Sequence, residues 1–371
     1  MRLKLSLAVI SCLVVSNLSA DASENLKSAF TDGAVNGGLI LHNQTQNNSG
    51  ENKDSGFSMG SIELGYETGD FNGFKAVVGF RSSHRLSEKE DGDFNAGIDG
   101  VDDGYTQVSA LMHTANISYV NEYFTATAGR QELELEWLTD YNEAYILGIT
   151  AVPDTTIVIG HSDRKTVADL DAPLEDYEDT GKHGASVIDI KYEGVDGLVL
   201  NAYGYNAKDI ADWYGAKVDY DNDMSGITAQ YAVTSEDGNS ADDGSIVNAE
   251  IRGKHSGISL NLGYITTDKD GGIGSMDTAG DSINPLEDGN QVYEKDADTV
   301  YTAIGYELDR LVLSGMYGQT KYGSNEEDEL NILAEYGFND EFTISALYVE
   351  VTAEDGDDDY NAIKFLANYT F

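Results

Sequence analysis

The chain has 371 residues, a formal net charge of −44, and 66 acidic against 22 basic residues. That imbalance repels polyphosphate and excludes nucleic acid as a partner, while 23 Tyr, 11 Phe and 40 Gly exclude the aromatic-poor composition of a disordered acidic tract. Only three prolines occur, which suits long hydrogen-bonded strands, where proline would remove a ladder donor.

At the amino end, Arg2 and Lys4 precede an apolar run from Leu5 to Val15, followed by Ser19, Ala20 and Asp21. This is the plan of a secretory signal peptide over residues 1–20, cut after Ala20, with residues 21–371 as the exported unit. The one cysteine, Cys12, lies inside the apolar core of that leader, so the exported unit has no disulfide and no thiol chemistry. No later apolar run approaches the roughly 20 residues of a spanning helix. If the chain enters a second membrane, it does so as strands.

A short helical turn is expected near residues 25–30. From Val35 onward one unit recurs: about ten residues of alternating polarity, a tight turn, a second alternating segment and a longer acidic stretch. Tight turns are expected at residues 70–73, 121–123, 152–154, 194–197, 222–226, 255–257, 308–310 and 339–341, on Gly, Asn, Asp and Pro content. Residues 87–103, 164–182, 235–243 and 268–298 are rich in Asp, Glu, Gly and Ser and read as outer loops. Strict alternation of short turns with longer loops is the pattern of an all-β, antiparallel transmembrane β-barrel, with short periplasmic turns and longer acidic extracellular loops. The spacing predicts about 18 strands, or 16 if one strand is wrongly divided.

Alternation also assigns faces. In the last strand Ile363, Phe365, Ala367, Tyr369 and Phe371 share one side, and Ala362, Lys364, Leu366, Asn368 and Thr370 the other. Glu63, Glu67, Lys75, Arg81, Lys191, Glu250, Arg252, Glu335 and Lys364 all fall on the polar side of their strands, as they must if the other side meets hydrocarbon, where a charge costs roughly 2–4 kcal/mol. Tyr66, Tyr192, Tyr231, Tyr264, Tyr306, Tyr336 and Phe338 lie near strand ends, as interfacial girdles require. The terminal set Ile363, Phe365, Ala367, Tyr369 and Phe371 resembles the signal by which the bacterial barrel-assembly machinery recognises its clients.

Residues 28–39 (SAFTDGAVNGGL) resemble the opening of the OprD-type porins and of the related major porins of Campylobacter-like bacteria. The resemblance continues in 64–69 (LGYETG), 73–80 (GFKAVVGF) and 128–133 (AGRQEL). It implies an 18-stranded barrel, commonly a homotrimer, whose pore is narrowed by inward-folded loops and lined on one side by basic residues. Two places depart from that pattern: Ile40 stands where an arginine is expected, and the segment after Gln131 is acidic.

Arg130, Glu132, Glu134 and Glu136 share one parity, against Leu133, Leu135 and Trp137. If the strand runs on to Trp137, they form a lumen-facing column that enriches cations. Arg81 and Arg85, with Ser83 between them, form a second pore-lining column. Asp219, Asp221 and Asp223 alternate like the start of a calcium loop but lack its glycine and final glutamate. Residues 268–272 and 354–359 are clustered acids able at most to bind calcium weakly. No cofactor is expected, and no histidine pair marks a catalytic site, so the chain is not read as an enzyme. The expected function is an outer-membrane porin of a Gram-negative bacterium that passes small, preferentially cationic, solutes. Its implied partners are outer-membrane lipid and lipopolysaccharide, the barrel-assembly machinery and two further copies of itself. The alternatives are an acidic surface adhesin and, after it, a barrel enzyme.

Overall fold

The computed structural model describes residues 23–95, 107–238, 242–354, 356 and 358–371. The expected leader lies outside the described residues. A short helix α1 (Leu26–Thr31) comes first, its Asn25 cap accepting from the Ser28 amide at 3.0 Å. Almost everything else is strand. The first half of the wall is β1 (Ala34–Asn48), β2 (Ser55–Glu67), β3 (Phe74–Glu88), β4 (Ala110–Val120), β5 (Phe124–Leu135), β6 (Leu138–Ile149), β7 (Thr155–Thr166), β9 (Ala185–Val195) and β10 (Leu198–Ala207). The second half is β11 (Ala211–Asp221), β12 (Ser225–Glu236), β13 (Ser245–His255), β14 (Ile258–Thr267), β15 (Ala297–Leu308), β16 (Leu311–Tyr322), β17 (Asn325–Gly337), β18 (Phe342–Thr352) and β19 (Tyr360–Thr370). The two-residue β8 (Glu178–Asp179) pairs only with the end of β7.

Each stave pairs antiparallel with its neighbours in sequence, and β1 closes on β19 from Gly38↔Thr370 to Asn48↔Tyr360. The result is a closed barrel of 18 staves, which leaves no unpaired edge. Phe371 extends the seam, exchanging backbone hydrogen bonds with Gly37 at 3.1 and 3.0 Å. All eight expected tight turns are present at the end of the barrel where the chain begins and ends. At the first, Asn72 and Gly73 take positive φ of 55° and 86°, the twist that a two-residue hairpin demands.

The opposite end differs from expectation. Long connections at 89–109, 167–184 and 268–296 are present, but 136–137, 208–210 and 323–324 are as short as the turns at the other end. The alternation of short and long is therefore not strict, because a hairpin needs length only where its connection must cover something.

The outer surface is apolar: Leu39, Ile62, Val78, Ile117, Ile188, Ile251, Val300, Ile304, Ile332 and Ile363 are all exposed. Tyr192, Tyr264, Tyr306, Tyr336 and Phe338 are exposed near the strand ends, and Tyr231 is exposed at the middle of β12. So large an exposed apolar surface is stable only against hydrocarbon. Between these residues, His42, Ser61, Arg81, Thr299, Asn331, Ser345 and Asn368 are buried toward the inside. The inside is not uniformly polar, however. Trp137, Leu138, Tyr203, Tyr205, Trp213, Ile246, Ile265, Met276, Leu286 and Val292 form one buried apolar cluster, built where inward-folded segments meet the wall.

Candidate permeation path

Three segments narrow the lumen. The first is the upper half of the β5–β6 hairpin. β4 and β5 pair only from Val120↔Thr125 to Ala115↔Arg130, whereas β5 and β6 stay paired to Leu135↔Leu138. Beyond Arg130 the hairpin therefore parts from β4, and past Tyr141↔Thr166 from β7 as well, so that its tip bends inward. Its tip is seated by Trp137, fully buried, whose backbone N–H donates to the Tyr205 hydroxyl and whose indole N–H donates to the Tyr203 hydroxyl, both at 3.2 Å. Glu136 beside it accepts from Lys217 Nζ at 2.8 Å, from Gln230 Nε2 at 3.0 Å and from Ser282 Oγ at 3.1 Å.

The second segment is the loop 167–184. Arg81 binds Glu63 through Nε at 2.9 Å and Nη2 at 2.6 Å, and its Nη1 donates to the carbonyls of Ala168 and Asp169. A buried guanidinium with its donors spread over a carboxylate and two carbonyls is a strong fixed anchor. Leu174, Tyr177, Ala168 and Leu111 pack together, and the Tyr177 hydroxyl donates to the His113 carbonyl at 2.7 Å. This loop fills the space that the bent hairpin leaves beside β4.

The third segment is the loop 268–296, expected to be an outer loop. It instead folds back into the barrel, burying Ile273, Met276, Ala279, Ile283, Leu286 and Val292. Lys364 on β19 holds it, with Nζ 2.8 Å from Glu287 and 3.9 Å from Asp288. The Tyr360 hydroxyl donates to Asp288 Oδ2 at 2.7 Å. Burial in this acidic neighbourhood raises the Asp288 carboxyl from its ordinary 3.8 to about 6. Burial likewise raises Asp277 on the same loop. Asp171 and Glu287 of these two loops, with His42, Asn331, Ser345 and Lys364 of the wall, line a chamber of the lumen.

The residues singled out in the sequence are placed as follows. Arg81 is buried inside the barrel, and Ser83 beside it is hydrogen-bonded to Ser61 at 2.6 Å. Arg85 lies further up, exposed and paired with Glu88, so the two arginines do not act at one level. Arg130 binds Glu143 at 2.7 Å, donates to the Met112 carbonyl at 2.9 Å and lies 4.3 Å over the Tyr177 ring. Glu132 is opposite Tyr141, which sits in the combined field of Glu132, Arg81, Glu63 and Asp169. Glu134 is exposed on the same side of the hairpin. Glu136 is not in the strand at all: β5 ends at Leu135, and Glu136 and Trp137 make the turn. The four-residue column therefore holds only through Glu134, because the tight turn ends the alternation.

Sequence reasoning placed Lys364 on the polar side of its strand but missed its partners Glu287 and Asp288, and missed Lys217. The available signal was the set of apolar residues Ile273, Met276, Ile283, Leu286 and Val292, spaced through a loop otherwise rich in polar residues and glycine. An exposed loop has no use for them.

Three carboxylates of the candidate calcium sets have partners within the chain. Asp219 and Asp221 bind Arg252 Nη2 at 2.8 and 2.6 Å, and Asp268 Oδ1 accepts the amides of Asp270 and Gly271 at 2.8 and 2.9 Å. The set at 354–359 lies partly outside the described residues. Among the described residues no group of three or more His, Cys, Asp or Glu is placed to hold a metal ion.

No protein-family model matches the chain, and no curated protein matches it in sequence. Solved structures do. Acinetobacter baumannii OccAB4 superposes with a TM-score of 0.73 at 16% identity, covering 91% of this chain and 98% of that one. Pseudomonas aeruginosa OpdO gives 0.76 at 13% identity, covering 93% and 98%. Pseudomonas aeruginosa OpdQ gives 0.73 at 14% identity, covering 93% and 99%. Agreement over nearly the whole of both chains, in stave number as well as closure, gives this protein the barrel fold of the Occ/OprD porins.

Proposed function

We propose that the chain is an outer-membrane porin: a water-filled channel for passive diffusion of small hydrophilic solutes, with a preference for cations. The observation that carries this reading is the closed barrel itself, apolar outside and narrowed inside by three charged segments. The short stretches at 28–39, 64–69, 73–80 and 128–133 support placing it near the major porins of Campylobacter-like bacteria. The leader at 1–20, the terminal aromatic strand and the apolar outer band support export to the outer membrane. The same features support assembly there by the barrel machinery, among lipid and lipopolysaccharide, as a homotrimer.

Cation preference follows from how the lumenal charges pair. Lys217 faces both Glu136 and Asp219, Arg252 faces Asp219, Asp221 and Glu250, and Lys364 faces Glu287 and Asp288. At each of these cations carboxylates are in the majority. Arg81 is met by Glu63, while Arg130 and Arg164 share Glu143, with Asp179 as a second partner of Arg164. Glu132 and Glu134 add to the acidic side of the path. Carboxylates on a narrow, low-dielectric wall are screened far less than those of the outer loops, for which the Debye length is about 8 Å at physiological salt.

The test is reconstitution of purified protein in a planar bilayer. Stepwise conductance, with a reversal potential across a KCl gradient of the sign that potassium selectivity gives, supports the proposal. Absence of conductance steps refutes the channel, and an anion-selective potential refutes the preference.

A further inference from the structure

Three consecutive main-chain N–H groups of the inward loop converge on one side chain. The amides of Glu287 and Asp288 donate to Glu329 Oε1 at 2.9 and 3.1 Å, and the amide of Gly289 donates to Glu329 Oε2 at 2.7 Å. Asn331 Nδ2 adds a fourth donor to Oε1 at 2.7 Å. Glu329 belongs to the wall strand β17 and is 1% exposed. Gly289 has a φ of +55°, in the left-handed region that glycine enters without a steric penalty. Successive amides curled in this way make a concave anion site.

A carboxylate buried among Glu287, Asp288 and Glu327 is electrostatically unfavourable unless donors gather around it. The loop supplies those donors from its backbone. The rest of the segment is fitted to the same place: Leu286 is buried against Gly318, where a Cβ would stand 2.7 Å from Leu286 Cδ2, and Asn290 Nδ2 donates to the Tyr360 hydroxyl at 3.1 Å. Pro285 and Glu287 line the lumenal chamber. The position of residues 285–290 therefore sets the width of that chamber.

We propose that the amides of residues 287–289 form a carboxylate-binding nest whose resident ligand is the side chain of Glu329, and that this internal ligand holds the loop across the lumen. With the internal ligand removed, the nest takes a small monocarboxylate from solution instead. The nest stands apart from the channel reading, which it uses only for an electrical readout.

The experiment measures the rate at which a water-soluble thiol reagent labels Pro285→Cys in a Cys12→Ser background, in detergent-solubilised protein whose heat-modifiable migration confirms an assembled barrel. Glu329→Ala is expected to raise the rate about tenfold, the loss of hydrogen bonds to a charged acceptor. Sodium formate, but not sodium chloride at equal ionic strength, is expected to bring the rate back toward that of the parent. If Glu329→Ala does not assemble, Gly289→Val tests the loop side of the same contact, with the expected rise but no rescue by formate. An unchanged rate in the assembled variant, or a raised rate that formate leaves untouched in Glu329→Ala, overturns the nest. Conductance recorded in parallel separates the two readings: no conductance in any variant, with labelling as expected, sinks the channel and leaves the nest standing.

Discussion

The indole N–H of Trp137, in the turn between β5 and β6, is 3.2 Å from the hydroxyl of Tyr203 on β10, although β7 and β9 lie between β6 and β10. This bond ties the tip of the β5–β6 hairpin to the inner wall. Trp137→Ala removes it together with a fully buried aromatic, a loss of about 3–5 kcal/mol. A larger and noisier single-channel conductance is expected, with a lower midpoint of thermal unfolding. Conductance indistinguishable from the parent would show that the hairpin does not limit the path.

Replacing Glu132, Glu134 and Glu136 together by glutamine leaves Lys217 with only Asp219 at 3.8 Å and Arg130 with Glu143. The potassium-to-chloride permeability ratio from reversal potentials should fall by roughly twofold or more. A ratio that stays put would assign the selectivity to Glu287, Asp288 and Asp171 of the two inward loops.

Conductance should depend on pH through Asp288. Its carboxyl is raised from 3.8 to about 6 with the loop docked, so the docked form holds its proton more tightly than a released loop does. Docking is therefore fully favoured below the lower value and is weakened as pH rises through the higher one. The groups facing Asp288 are Lys364, Glu329, Tyr360 and Glu287, and their combined effect leaves burial dominant. Lowering the pH from about 7 to about 5 should reduce conductance. Asp288→Asn should flatten that response; an unaltered pH profile in the variant would remove Asp288 from the account.

Deleting Phe371 removes the residue that extends the β1–β19 seam through its two backbone bonds to Gly37, and with it the end of the proposed assembly signal. Cells expressing the shortened chain should accumulate unassembled protein in the periplasm and show little heat-modifiable band on gels. Normal assembly would show that Ile363, Phe365, Ala367 and Tyr369 suffice.

Period-two alternation alone determined the wall. Ile363 and Phe365 face outward and Lys364 inward, as their parity requires, and the turn residues at the chain-terminal end, such as Asn72 and Gly73, fixed where each stave reverses. These are local properties, set by pleat geometry and φ, and a sequence displays them directly. The lumen is different. Ala128 is opposite Tyr145, which is exposed to the outside, so simple alternation would carry Arg130, Glu132 and Glu134 to the lipid side. Above Ala115↔Arg130 the hairpin parts from β4, and past Tyr141↔Thr166 from β7 as well, which turns that face away from the lipid. That departure depends on Trp137 reaching Tyr203 and Tyr205, on Arg81 holding the loop at 168–169, and on Lys364 and Glu329 holding the loop at 287–289. Each partner is tens of residues away in sequence, and no local periodicity records which distant wall residue a loop will meet. Local alternation is enough to draw a barrel and its two faces, whereas the wall residues that the hairpin tip and the two inward loops meet are set by tertiary packing alone.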